Sequence, residues 1–104
     1  MIIKNDKGRE FFIRVVMKGD RYGLKDCLTH TEDSPMIEFY DYTYAGDKDF
    51  GPRGQFVTRY YAETLSGNVE RKYGLDLCGH VNEWSVDEKA CKPVIELANR
   101  LVRK

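Results

Sequence analysis

The order of periodicities along the chain predicts an α+β fold, an antiparallel four-stranded β-meander followed by two helices packed on one face, in the order β-β-β-β-α-(β)-α. Three observations predict it. Runs with period-two alternation, rich in β-branched and aromatic residues, fill the first half. Short turn-forming clusters separate them, and such connections suit only antiparallel neighbours. Amphipathic stripes with period near 3.6 fill the second half, so strands precede helices where a parallel α/β chain would alternate them. At 104 residues the chain has the commonest length of one domain, expected over 1–104.

Taken in order, Ile2 and Ile3 lead into Asn5-Asp6-Lys7-Gly8, a run of turn formers, and then into Glu10 to Met17. That pattern predicts a hairpin. Phe11, Ile13, Val15 and Met17 share one face of its second strand, while Glu10, Phe12, Arg14 and Val16 make a mixed opposite face. After Lys18-Gly19-Asp20, the alternation of Tyr22, Leu24 and Leu28 with Lys25 and Cys27 predicts a third strand. Met36 to Tyr44 reads as a fourth, with Glu38, Tyr40 and Tyr42 on one side and Ile37, Phe39, Asp41 and Thr43 on the other. Three glycines and Pro52 between Ala45 and Gly54 predict a loop.

From Gln55 the spacing of Phe56, Val57, Tyr60, Tyr61, Thr64 and Leu65 predicts an amphipathic helix ending at Ser66-Gly67-Asn68. Tyr73 to Gly79 reads as a short strand or an extended connector. Ser85 with Glu88 forms a capping box ahead of the stripe Val86, Ala90, Val94, Ala98 and Leu101, which predicts a C-terminal helix. Pro93 interrupts that stripe, so a kink there or a helix start near Lys92 is expected.

Composition narrows the function classes. Seventeen basic and seventeen acidic residues cancel, which leaves no overall field for nucleic acid or an anionic membrane. The charge is nevertheless blocked: residues 1–25 carry a balance of +4, residues 26–49 one of −6, and the remainder +2. No run approaches the length of a membrane span, and the N-terminal residues lack a signal peptide's apolar core, so a cytoplasmic protein with no membrane association is expected. Three cysteines, Cys27, Cys78 and Cys91, are too few and too far apart for a disulfide framework.

Eight of the thirteen aromatic residues crowd between Phe39 and Tyr61, beginning inside the acidic block. Tyrosine is enriched at protein interfaces. The overlap predicts a small non-enzymatic interaction module whose acidic, tyrosine-rich face, Glu38, Tyr40, Asp41, Tyr42, Tyr44, Asp47 and Asp49, binds a basic protein partner or a second copy as a homodimer. Tyr60 and Tyr61 either extend that face or pack in the core. No cofactor is implied.

Alternatives of other classes rest on specific residues. Both histidines lie near cysteines, in Cys27-Leu28-Thr29-His30 and Cys78-Gly79-His80. Two thiolates and two imidazoles suit tetrahedral zinc, although the second pair is closer than recurrent zinc spacings. For a thiol-dependent enzyme the nucleophile would be Cys78, with His80 or His30 as base and Asp76 or Glu83 orienting it. RNA binding would use Tyr40, Tyr42 and Tyr44 as stacking rings beside Arg53 and Arg59, against repulsion from Glu38, Asp41, Asp47 and Asp49. Gly51-Pro52-Arg53-Gly54 lacks the lysine of a phosphate-binding loop, and Asp47-Lys48-Asp49 lacks the glycine and glutamate of a calcium loop.

Overall fold

A computed structural model describes residues 1–17, 35–67, 74–77 and 84–103. Four strands form the main antiparallel sheet: β1 (Ile2–Lys4), β2 (Glu10–Val16), β3 (Met36–Asp41) and β4 (Gln55–Tyr61), in that order across it. The chain continues with α1 (Ala62–Gly67), a two-stranded sheet of β5 (Leu75–Asp76) and β6 (Ser85–Val86), and α2 (Glu88–Val102). The architecture is α+β, an antiparallel four-stranded sheet with helices following it.

The core lies between one sheet face and the helices. Phe11 and Ile13 of β2 and Ile37 and Phe39 of β3 meet Ala62 and Leu65 of α1 and Cys91, Val94 and Ala98 of α2. Each fully buried Phe, Ile or Val here contributes roughly 1.5–3 kcal/mol. β3 is flanked by strands on both sides, and all six of its residues are buried. Among the described residues no helix is long and apolar enough to cross a membrane.

Several expected elements are corrected. Gln55 to Tyr61 is a strand, and only Ala62 to Gly67 is helical. The cause is a β-bulge. Tyr40 pairs with Phe56 but Phe39 with Thr58, so Val57 is the extra residue and the face alternation flips there. Phe56 and Arg59, three apart, therefore share a face, imitating a helical period in a strand. The β-branched and aromatic residues of Gln55–Tyr61 instead complete the ladder with β3.

The strand expected to run to Tyr44 stops at Asp41, because Asp41 caps a 3-10 turn over Tyr42–Tyr44 by accepting the Thr43 N–H at 3.1 Å. Ser85 does not cap α2. It belongs to β6, and Asp87 caps the helix instead, accepting the Ala90 N–H at 3.4 Å. The helix start expected near Lys92 is corrected: α2 begins at Glu88 and includes Pro93. Tyr22 to Leu28, expected as a third strand, lies outside the described residues. β2 pairs directly with β3.

Candidate functional site

The face of the sheet opposite the helices is organised in cross-strand rows. Register places Phe12 beside Tyr40 and Phe56, and Arg14 beside Glu38 and Arg59. Glu38 is fully buried at the centre. Its Oε1 accepts hydrogen bonds from Arg14 Nη1 and from the Tyr40 hydroxyl, each at 2.8 Å. Its Oε2 lies 3.7 Å from Arg59 Nε. Arg53 donates to the Tyr40 oxygen at 3.2 Å and packs on that ring, 5.4 Å from its centroid, while Arg59 covers the Phe56 ring at 4.8 Å. One carboxylate thus organises three arginines and two aromatic rings.

The electrostatic consequences follow from that arrangement. Burial opposes the Arg14 charge, but the hydrogen bond and attraction of Glu38 outweigh it and raise the Arg14 pKa. Tyr40 is raised from its ordinary 10.0, first by burial and then by its bond to Glu38, with Arg53 pulling the other way. A buried carboxylate with good partners costs stability when those partners are lost. This network holds the sheet face together.

Asp41 faces the other way. Its Oδ2 accepts the Trp84 Nε1–H at 2.9 Å and lies 3.3 Å from Arg9 Nη1, which also donates to Thr43 Oγ1 at 2.8 Å. The β5–β6 pairing carries Trp84 to this point, with Leu77 N–H donating to the Trp84 carbonyl at 3.0 Å. Gly54 fits beneath the same junction. Its φ is +93° and a Cβ there would strike the Asp41 carbonyl, so only glycine leaves the loop by this route.

The acidic, tyrosine-rich face is therefore divided. Glu38, Tyr40 and Asp41 are buried, and alternation sends Glu38 and Asp41 to opposite faces of β3. They cannot meet a partner as built. Tyr42 is half-buried, with its ring stacked on Phe12 at 6.2 Å. Tyr44, Asp47 and Asp49 are exposed on the β3–β4 loop.

That loop has its own internal order. Asp47 and Gly51 form an isolated bridge. Gly46 N–H donates to the Gly51 carbonyl at 2.8 Å, and Gly51 N–H donates back to the Asp47 carbonyl at 2.7 Å. Asp47 Oδ1 accepts the Asp49 N–H at 2.8 Å. At its tip Tyr44 and Phe50, 40% and 43% exposed, are in ring contact with centroids 5.4 Å apart. Phe50 was not among the residues expected at a site, although its place in a glycine-rich loop beside two aspartates was visible.

Cys27, His30, Cys78, His80 and Glu83, on which the zinc and thiol-enzyme alternatives rest, lie outside the described residues. Asp76 is exposed on β5. Among the described residues no group of three or more His, Cys, Asp or Glu side chains could hold a metal ion. Cys91 is fully buried in the core; burial, then the neighbouring charge of Asp87, lifts its pKa from 9.0 to about 11. Such a thiol is a poor nucleophile.

Fold and site together define a small α+β domain with a braced, aromatic-tipped loop between its central and outer strands. Comparison with protein-family models, curated proteins and solved structures found no match, and the chain's own geometry carries the functional argument.

Proposed function

We propose that this protein is an interaction module whose β3–β4 loop binds a basic segment of a partner protein. The observation that carries this reading is the exposed Tyr44–Phe50 pair on a loop fixed by main-chain hydrogen bonds. Two adjacent exposed rings lose apolar area to water, and a fixed loop loses little entropy when a partner covers them. Asp47 and Asp49 beside the rings suit an Arg or Lys side chain, which can lie over a ring face while pairing with a carboxylate. Tyr40 supports the loop from below and takes no part in contact.

The RNA alternative is not carried forward, because the central ring it needs, Tyr40, is 2% exposed and covered by Arg53. A second copy of the chain is the other occupant the loop could take. The test is a selection of displayed random peptides against the purified protein. Enriched sequences should contain Arg or Lys, and the Tyr44→Ser/Phe50→Ser variant should weaken their binding by about tenfold or more while its thermal unfolding stays near that of the parent. Enrichment of sequences without basic residues, or binding unchanged in that variant, would remove the proposal. A concentration-dependent dimer abolished by the same variant would assign the loop to self-association.

A further inference from the structure

The two ends of the β3–β4 loop meet at Asp41. The chain enters the loop there, and Gly54, at its exit, lies so close that a Cβ would strike the Asp41 carbonyl. The Asp41 side chain is 1% exposed and is shared by three parts of the chain. Its Oδ1 accepts the Thr43 N–H at 3.1 Å and so shapes the first turn of the loop. Its Oδ2 accepts the Trp84 Nε1–H at 2.9 Å, beside β6, and lies 3.3 Å from Arg9 Nη1 at the end of the β1–β2 turn.

Both donors are held from behind. Asn5, itself buried, donates through Nδ2 to the Ser85 carbonyl at 2.8 Å, next to Trp84, and accepts the Arg9 N–H on Oδ1 at 2.8 Å. The Trp84 side chain packs against the main core, and its carbonyl accepts the Leu77 N–H at 3.0 Å. Arg9 reaches the loop a second time, donating to Thr43 Oγ1 at 2.8 Å.

This arrangement supplies what the loop's own bonds do not. The main-chain bonds among Gly46, Asp47 and Gly51 fix its internal shape, but a loop of fixed shape can still swing about its two ends. A buried carboxylate resists that swing, because moving it away from its donors leaves a charge without hydrogen bonds in the interior. The bond from Trp84 comes from a residue anchored in the core, so it ties the loop entry to the body of the protein.

We infer that Trp84, acting through the Asp41 carboxylate, is a positioning residue for the β3–β4 loop. Its indole N–H fixes the direction in which the Tyr44–Phe50 pair leaves the sheet. An oriented loop has less freedom to lose when a partner covers it, so the bond also strengthens binding of the basic segment. That last consequence rests on the loop reading proposed above; the positioning does not.

The experiment measures backbone N–H residual dipolar couplings, which report orientation whether or not any peptide binds. Trp84→Phe keeps an aromatic ring and removes the donor. Couplings of Gly46, Asp49 and Gly51 should then be averaged down by about a third or more, while those of β2 and β3 keep their parent values. Asp41→Asn, which retains an acceptor for the Thr43 N–H and loses the carboxylate, should have the same effect, and adding Trp84→Phe to it should change nothing further. Peptides selected on the parent loop should bind Trp84→Phe about fivefold or more weakly. Parent couplings at the three loop amides in Trp84→Phe, an equal loss in β2 and β3, or a full further loss when Trp84→Phe is added to Asp41→Asn would overturn the inference. Altered couplings with unchanged peptide affinity would overturn the role in binding. Failure to select any peptide would remove the loop reading alone, and the couplings would still decide the positioning.

Discussion

Glu38 is the residue on which the sheet face depends. A carboxylate with no exposure between two partly exposed arginines and a tyrosine hydroxyl is stable only while those partners remain. Glu38→Gln keeps the shape and removes the charge, leaving Arg14 and Arg59 without their shared counter-ion. A loss of about 1–3 kcal/mol in urea unfolding is expected, moderated because both arginines can regain water. A change within about 0.5 kcal/mol would show the network to be neutral. The contrast with Tyr44 is instructive: two tyrosines four positions apart in sequence have opposite roles, one inside the network and one at a loop tip.

Element by element, the departures from sequence expectation have local causes. The bulge at Val57 converts period two into an apparent 1-3-4 spacing, so β4 reads as a helix until its partner strand is known. Pro93 acts the other way. Its local cost is overcome because α2 buries Cys91, Val94, Ile95 and Ala98 in the core shared with α1 and the sheet. Pro93→Ala should restore a helical hydrogen bond and stabilise the protein by about 2 kcal/mol, the helix-interior cost of proline less the entropy that proline removes from the unfolded chain. A calorimetric Tm below that of the parent would contradict this.

Across the whole molecule, two buried protons link folding to alkaline pH. Burial raises both Tyr40 and Cys91, the latter from 9.0 to about 11. The folded state holds these protons more tightly than the unfolded chain, so their contribution is complete below the ordinary values and is lost as pH rises through the folded ones. Thermal stability should therefore fall between about pH 9 and pH 11. Cys91→Ala should make that decline shallower; an unchanged slope would show that the thiol does not contribute.

Alternation in Glu10 to Val16, turn residues at Asn5 to Gly8 and the apolar stripe after Asp87 determined by themselves that the chain would form an antiparallel sheet followed by helix. These signals are local, each carried by residues within one element. The mixed character of the Phe12 and Arg14 face was equally visible. Only the tertiary structure decided that Arg14, Glu38 and Arg59 form one row, that Asp41 turns to Trp84, and that Tyr40 is interior while Tyr44 and Phe50 face solvent. The physical reason is that burial and ion pairing depend on strand register, and a single bulge resets the register without leaving a unique mark in the order of residues.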